Sequence, residues 1–442
     1  MRRRLLPLGL AALFFNPSFA QTTDAMRGGA IGTSNVSAPR ATEPTGPLTL
    51  KVALKLALGA NAELSAAGHE LEAIEATIIQ AQVRPNPEFA TSIEDTRRAT
   101  RITRLQLNQP IELGGKRAAR IDAAERGREA ASAELDIKRA EIHAIVVAAF
   151  YDVLVAQERL RLAQASVELA QRATSAASRR VAAGKVSPVE ETRARVAEAG
   201  VRVEWTLAGS ELATARKRLA GTWGNAIPRF ELVESDLEAL PPLPALADLN
   251  SRLATSPKLL RAKIEVDRRQ ALEEVERSRR IPNVTVSLGA MRNEQVGLDQ
   301  AIVGLSIPIP MFDRNQGNLL EALRRTDKSR DELSVTEIRL SNELAQAHER
   351  LNTARQEVGS LQRDILPGAQ SAYDAATKGF ELGKFSFLEV LDAQRTLFQA
   401  KSQYLRALAE AHRSAAEIER ILGEASPKST PGSTLAPITT KP

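Results

Sequence analysis

The fold is decided by one long stretch, Gly115 to Ala183, which reads GKRAARIDAAERGREAASAELDIKRAEIHAIVVAAFYDVLVAQERLRLAQASVELAQRATSAASRRVAA. It contains no proline and is dense in alanine, leucine, glutamate and arginine, the residues that lose least on entering a helix. As a single α-helix it would extend about 100 Å. A globule of this chain length is about half as wide, so the rod must pack against other rods or line something elongated.

The rod is followed by a second helix that runs back along it. Alanine, glycine and lysine at 183–185 predict a turn, and Ser187-Pro188 restarts a helix with a good N-cap and with proline in its first position. We expect this return helix to reach about Leu219. The rod's apolar residues recur at heptad-like spacing, which is typical of helix pairs packed as coiled coils: Leu135, Ile142, Val146, Ala149, Val153 and Leu160.

The segment before the rod changes from helical to strand periodicity. A helix from about Leu48, with a break near Gly59, ends at Pro85. Residues 88–111 then alternate between apolar and polar side chains on either side of a charged turn near Arg97, which predicts a β-hairpin with one apolar and one polar face.

The same order of elements recurs in the second half of the chain. We predict a first repeat over 48–222 (strands about 88–111), a proline-rich connector over 223–256, and a second repeat over 257–423 (strands about 283–308). The long helix of the second repeat should be kinked at Pro367. A period of about 198 residues relates Pro85 to Pro282, Pro110 to Pro308 and Gly184 to Gly383.

The two ends of the chain have other compositions. Residues 1–20 combine three arginines, a short apolar run and Ser18-Phe19-Ala20, which predicts an export signal cleaved before Gln21. The apolar run is short of the roughly 20 residues that a spanning helix needs. Residues 21–47 and 424–442 are polar and rich in Pro, Ser and Thr, and we interpret them as a disordered lead-in and a disordered tail.

Composition argues against several classes of function. The 60 Lys and Arg residues against 54 Asp and Glu are dispersed, and no basic patch with interleaved aromatics predicts nucleic-acid binding. There is no cysteine, so disulfides and thiolate metal sites are excluded. The four histidines, His69, His143, His348 and His412, have no helical metal-ligand spacing, and no catalytic or cofactor motif stands out. We therefore predict no enzyme, no metal site and no cofactor.

Four alternating strands per chain cannot close a barrel, which needs about eight. In a bilayer an open edge would leave several backbone groups unpaired, so copies of the chain would have to pool their strands. Two chains would supply eight strands and three would supply twelve. The alternative is a small sheet beside a helical bundle in water.

Three motifs resemble TolC-type outer-membrane efflux channels over about 48–423. The first is Leu48-Thr49-Leu50 with Ala53, Ala57, Asn61 and Leu64. The second, Gln109 to Arg117 (QPIELGGKR), is similar to the heavy-metal branch that serves cobalt–zinc–cadmium and nickel pumps of the resistance–nodulation–division type. The third, Gly379 to Ala393 (GFELGKFSFLEVLDA), resembles the tip of the family's second helical hairpin.

The resemblance implies a mainly α fold with a small β part, duplicated, and assembled as a homotrimer. Its twelve-stranded β-barrel, four strands per chain, would lie in outer-membrane lipid and continue as an α-helical barrel into the periplasm. The trimer would be an exit duct coupled through a periplasmic adaptor to a proton-driven inner-membrane pump. The cargo implied is divalent Co, Zn, Cd or Ni, with drug export or protein secretion as alternatives. A periplasmic adaptor and a structural coiled coil are the alternatives of other classes.

The resemblance also implies site residues. Glu389 and Asp392, at i and i+3 on one helical face, match the family's acidic gate, which in a trimer would attract cations. Where well-described members have a tyrosine and an arginine that form a polar latch, this chain has Phe380 and Phe385. The polar latch is therefore not expected in this chain, and we predict an apolar plug instead. The residues at the turns that would meet the adaptor are Arg180, Gly184, Lys185, Gly383 and Lys384. Glycine as an ordinary helix C-cap, and acids as ordinary solvated charge, are the simpler interpretations.

Overall fold

A computed structural model describes residues 42–44, 46–95, 97–235, 240–382 and 384–423. The predicted export signal, the lead-in up to residue 41, the tail and Gly383 lie outside these ranges. The first half of the chain contains β1 (Leu48–Thr49), α1 (Leu50–Ala60), α2 (Ala62–Gln82), β2 (Glu88–Glu94), β3 (Ile102–Ile111), α3 (Lys116–Ala182) and α4 (Pro188–Gly221).

The second half presents the same order of helix, hairpin, long helix and return helix. It contains β4 (Val233–Glu234), α5 (Leu246–Leu253), α6 (Pro257–Ser278), β5 (Val284–Asn293), β6 (Leu298–Ser306), α7 (Gln316–Ser360), a π-helical turn (Leu361–Ile365), α8 (Leu366–Glu381) and α9 (Phe387–Leu422). The long rod, the break before Asn61 and the return helix are confirmed to within two residues.

Two consecutive glycines with left-handed backbone angles directly precede the long helix α3. Gly114 and Gly115 have φ values of 73° and 74°. A Cβ at Gly114 would lie 2.8 Å from the Cβ of Ile281, so this turn needs glycine for both its backbone angle and its close approach to the second half.

The two predicted hairpins join in one antiparallel sheet. The strand order is β2-β3-β5-β6, and the central pairing of β3 with β5 links the first half of the chain to the second. Sequence alternation predicted each hairpin but not this pairing, because nothing local specifies which strand a hairpin edge will meet.

The core lies along the long helices. One cluster surrounds Phe150 and Trp223, and a second surrounds Leu344 and Ile421. The rod α3 packs along α2, α4, α6 and α9, while α7 packs along α6 and α9. This places every return helix beside the helix that it follows, as coiled-coil pairing predicts.

The boundary of the predicted lead-in, 21–47, is wrong at its end. Glu43 is buried, and its carboxylate accepts hydrogen bonds from Trp223 Nε1 at 2.9 Å, from Asn225 Nδ2 and from the backbone N–H groups of Arg229 and Phe230. Burial alone would raise the pKa of Glu43, but the four hydrogen bonds outweigh it and hold the pKa below its ordinary value.

The connector also has more structure than predicted. Within 223–256, β4 pairs in parallel with β1, and α5 buries Leu249 and Leu253. The segment at Leu48–Thr49 and the connector therefore pair with each other beside the cluster that surrounds Trp223.

Candidate functional site

One face of the sheet is apolar and exposed. Phe89, Leu107, Leu288 and Val303 form a row across all four strands and are 68%, 47%, 55% and 79% exposed. Rows on either side carry further exposed apolar residues, such as Leu105 and Leu305. A contiguous apolar patch of this kind marks a surface that contacts lipid or protein.

The opposite face is polar and internally bonded. Ser287 Oγ donates to Asn108 Oδ1 at 2.7 Å, and Arg104 pairs with Glu94 while its Nε contacts Met291 Sδ at 3.3 Å. Polar residues alternate with the apolar rows along each strand, as in a sheet that separates lipid from water.

Within the described ranges, both edges of the sheet are unpaired. β2 and β6 each have one neighbouring strand among the described residues, and the sheet is open between them. Each edge presents a row of backbone groups that must be paired before the strands can lie in a bilayer.

The second resembling motif ties the two halves together where the sheet meets the helices. Gln109 Nε2 donates to Pro85 O at 3.1 Å, and Lys116 Nζ donates to Asn283 Oδ1. Arg120, in the first turns of α3, pairs with Glu112 in the loop before that helix, and this hydrogen bond lowers the pKa of Glu112 despite partial burial. In the sequence the motif is only a family signature, whereas in the structure its Lys116 joins the two halves of the chain and its Gln109 joins the two ends of the first hairpin.

The two helical tips lie side by side at the far end of the molecule. Ala173, Ala177, Ala194, Ala376 and Val390, from α3, α4, α8 and α9, form one small buried cluster. Because most of these side chains are alanine, the helices approach closely and bring the two turns together.

The first tip is a Schellman motif. Gly184 has a φ of 67°, its N–H donates to Val181 O at 2.9 Å, and Lys185 N–H donates to Arg180 O at 2.9 Å. Lys185 and Gly184 are exposed. Glycine as a C-cap explains the geometry, and the exposed turn is free to contact another molecule.

At the second tip, the turn folds back onto Gly379. Lys384 N–H donates to Gly379 O at 2.8 Å, and a Cβ at Gly379 would lie 2.1 Å from Phe385 Cδ2. The Phe385 ring therefore rests on the glycine and remains 44% exposed, beside exposed Lys384. Gly383 lies outside the described residues.

Phe380 packs within the chain, beside the alanine cluster. The guanidinium of Arg180 lies 5.1 Å from the centre of its ring, in cation–π geometry. The structure thus brings the predicted residues Arg180 and Phe380 together across the two tips. The apolar plug stays a prediction, and in this arrangement Phe385 is the more exposed of its two rings.

The two carboxylates are exposed near the start of α9. Glu389 Oε2 accepts from Ser386 N–H at 2.6 Å and completes a capping box. The sequence-based prediction missed this cap, although the spacing Ser386-x-x-Glu389 signals it. Asp392 is exposed, and none of the side chains in the described ranges pairs with its carboxylate. Of the two, Asp392 is the one left available to a passing cation.

His143, His348 and His412 are partly buried in packing positions, whereas His69 is exposed and lies beside Glu72. His412 stacks on Tyr151 with ring centres 3.9 Å apart, and His348 Nε2 lies 3.1 Å from Pro244 O. In the part of the chain that the structure describes, no group of three or more His, Asp or Glu residues is arranged to hold a metal ion.

Comparison with known proteins identifies the family. The profile of the outer membrane efflux protein family matches residues 53–225 and 249–424. The chain is 50% identical to the cobalt-zinc-cadmium resistance protein CzcC of Cupriavidus metallidurans, over 96% of this chain and all of that protein. It is 27% identical to the nickel-cobalt-cadmium resistance protein NccC of Alcaligenes xylosoxydans, over 67% of this chain and 64% of that protein.

The fold is shared with solved channels. The crystal structure of CusC, which forms a transmembrane channel, superimposes with a TM-score of 0.70 at 20% identity, covering 84% of this chain and 91% of that one. The family profile and the 50% identity to CzcC exclude the periplasmic adaptor and the structural coiled coil, and they make the protein a transport channel rather than an enzyme. With the family profile matching most of its length, the chain belongs to the outer membrane efflux protein family.

Proposed function

We propose that the chain is the exit channel of a tripartite efflux system that exports divalent heavy-metal cations. The observation that carries the metal assignment is the 50% identity to a cobalt-zinc-cadmium resistance protein along the full length of that relative. A nickel-cobalt-cadmium resistance protein is a more distant relative. Drug export and protein secretion are the competing cargoes within the same fold.

The sheet supports a trimer in the outer membrane. Four strands with two free edges and one exposed apolar face are incomplete in a bilayer. Three copies supply twelve strands, whose polar faces line a water-filled lumen, whereas eight strands leave an interior that side chains fill. The long helices continue this lumen into the periplasm, and an export signal ending near Ala20 delivers the chain there.

The tips support a gate and an adaptor contact. Asp392, with Glu389 beside it, places carboxylates at the far end of the helical duct, where threefold symmetry makes rings that attract cations. The exposed turns at Lys185 and Lys384 are the surfaces offered to a periplasmic adaptor, which connects the channel to a proton-driven inner-membrane pump. No tight metal site is needed, because a duct that bound its cargo strongly would release it slowly.

Deleting the gene tests the cargo. The deletion strain should become sensitive to at least one of Zn, Co, Cd and Ni, and a plasmid copy of the gene should restore growth. Growth on dyes and antibiotics is the matched control. Unchanged metal resistance together with new sensitivity to drugs would replace the metal proposal with drug export.

A further inference from the structure

Three open cavities follow one another along one side of the long helix α3. On this helix Ser166 lines the cavity nearest the tips, Asp152 and Arg159 line the middle cavity, and Glu141 lines the third. These positions are 7 or 11 residues apart, spacings that keep side chains on one face of an α-helix. Helix α9 lines all three cavities as well, and we call this row of cavities the polar groove.

The polar groove and the connector lie on opposite sides of the helices. Gln157 of α3 exchanges two hydrogen bonds with the backbone of β4, at 3.1 and 2.8 Å, whereas Arg159 lines the groove. Leu240 of the connector packs against the cluster that contains Leu408 of α9, whereas Arg406 lines the groove. Residues two apart on a helix point about 200° away from each other. Both helices therefore place the connector on one side and the groove on the other.

The groove side of the helices is the one suited to face the lumen of the proposed channel. Among the described residues, none from the connector lines the three cavities, so this side is open there, as a duct requires. On α9 the groove residues Gln399, Arg406, Arg413 and Arg420 recur every seven residues, and the same series continues to Asp392 of the proposed gate. The gate and the groove therefore face the same space.

Each carboxylate that lines the groove has a cationic partner in the described part of the chain. The six carboxylates belong to Glu141, Asp152, Glu204, Glu211, Glu410 and Glu417. Glu141 pairs with two lysines, and the other five pair with arginine. Exposed ion pairs stabilise a fold little, so their presence in every case points to a role other than stability.

Arg413 of α9 holds two of these carboxylates. It pairs with Asp152 across the groove on α3, and its Nη1 lies 3.4 Å from Glu410 Oε2 on its own helix. Two turns along α9, Arg420 Nη2 lies 2.7 Å from Glu417 Oε1, and this hydrogen bond holds the pKa of Glu417 below its ordinary value. The charge of this carboxylate is therefore balanced by an arginine rather than by a proton.

Arg159 of α3 holds two carboxylates of α4 in the same way. Its Nη1 lies 2.6 Å from Glu211 Oε2, and its Nη2 lies 3.9 Å from Glu204 Oε2. Divalent cations bind proteins through oxygens of several carboxylates, and their affinity depends on the number of charged ligands. A guanidinium between two carboxylates fills this place with positive charge, so it repels a divalent cation that two bare carboxylates would attract.

We propose that Arg159, Arg413 and Arg420 mask the carboxylates of the polar groove, so that a divalent cation that has passed the gate is not retained on the wall of the duct. This inference rests on the proposed function and adds residues that act beyond the gate. The carboxylate of Asp392, which has no partner in the described ranges, attracts cations at the entrance. Along the groove, arginines already occupy the carboxylates, and a guanidinium stays charged throughout the physiological range of pH.

Thiol labelling of the assembled channel tests which way the groove faces, since the native chain contains no cysteine. Arg406→Cys lies in the groove, whereas the control Arg161→Cys lies on the connector side of α3, where the side chain of Arg161 is 71% exposed. A small maleimide should label both variants. A maleimide attached to a polymer too bulky for the lumen should label only Arg161→Cys.

Equal labelling of Arg406→Cys by the two reagents in a trimeric sample would place the groove outside the channel and overturn the proposal. Equal labelling in a monomeric sample would overturn the proposed trimer as well. Size-exclusion chromatography of the labelled sample distinguishes the two cases.

Equilibrium dialysis against Co²⁺ tests the masking itself. Arg413→Gln leaves Asp152 and Glu410 without a guanidinium between them, so its Kd for Co²⁺ should be lower than that of the native channel by about tenfold or more. Arg159→Gln frees the two carboxylates of α4 in the same way, and it provides the test if Arg413→Gln does not fold. Circular dichroism shows which variants are folded.

The matched control is Arg202→Gln on α4. Arg202 pairs with one carboxylate in the described ranges, that of Glu198, and it lies two residues from Glu204, on the opposite side of that helix. This variant should bind Co²⁺ no more tightly than the native channel, and the proposed gate is the same in all four proteins. If the control gains as much affinity as the groove variants, or if no folded groove variant gains affinity, the masking is refuted. Dialysis does not depend on the cargo in the cell, so a deletion strain with unchanged metal resistance would remove the proposed cargo and leave this result as it is.

Discussion

The apolar face of the sheet predicts a cost for charge that depends on depth. Along β5, the apolar rows run from Val284 to Arg292, where charged residues resume, and Leu288 lies midway, about 13 Å from each end. An arginine at the bilayer midplane of a β-barrel costs about 2–4 kcal/mol, and near the interface about 0–1 kcal/mol. Leu288→Arg should therefore destabilise each copy by about 2–4 kcal/mol, and Val284→Arg by under about 1 kcal/mol.

The matched control places the same charge at the same height on the other face. Gln106 lies one residue along from Leu107 on the polar face, so Gln106→Arg should insert nearly as well as the native chain. Guanidinium titration of protein in phospholipid vesicles, with protease protection as the readout of insertion, compares the variants. If Gln106→Arg proves as costly as Leu288→Arg, the assignment of the two faces to lipid and lumen is refuted.

Three further predictions each concern the substitution of one side chain. Glu43→Gln should lower the free energy of unfolding by about 1.5–3 kcal/mol, because hydrogen bonds to a charged acceptor are lost. The depressed pKa of Glu43 means that this contribution is present above about pH 4.5 and fades as pH falls further, so thermal unfolding of variant and native chain should differ at pH 7 and converge in acid. Asp392→Asn should reduce cation over anion selectivity in single-channel recordings, whereas Glu332→Gln, in the middle of α7, should not; equal effects would contradict the gate. Arg180→Ala should cost about 0.5–1 kcal/mol by removing the cation from Phe380, and Arg180→Lys should recover part of it, as chemical denaturation can measure.

Local patterns in the sequence predicted the helices and strands, because the periodic spacing of apolar residues in each of them involves only neighbouring residues. The alternation of Phe89, Thr91 and Ile93 predicted β2 and its apolar face, and the proline-free composition of 115–183 predicted α3. The acidic pair near the start of α9 was likewise visible. The capping role of Glu389 depends on Ser386 three residues earlier, so this contact is also local and lies within reach of the sequence.

Long-range contacts could not be predicted, because they join residues that are far apart in the sequence. The carboxylate of Glu43 is buried only because Trp223 and Asn225, far along the chain, supply its hydrogen bonds, and polar composition around it indicated disorder. The stacking of Arg180 on Phe380 depends on bringing two tips together across the whole length of two helical hairpins. Neither contact produces a periodic pattern in the sequence from which it could be predicted.

The π-helical turn at Leu361–Ile365 shows how one residue can decide the arrangement of a distant tip. The halves correspond with a shift of 198 up to Ala163 and Leu361, both buried, and with a shift of 199 beyond the turn, where buried Ala177 corresponds to buried Ala376. Hydrogen bonds of the i to i+5 type accommodate one extra residue in a turn, and Pro367, which has no N–H to donate, lies two residues beyond the turn. Without this adjustment everything beyond it would be rotated by about 100° about the helix axis. Ala376 would then leave the alanine cluster, and Phe380 would turn away from Arg180. The kink at Pro367 stays a prediction, and just before that residue the structure has a change of hydrogen bonding that keeps the two tips in register.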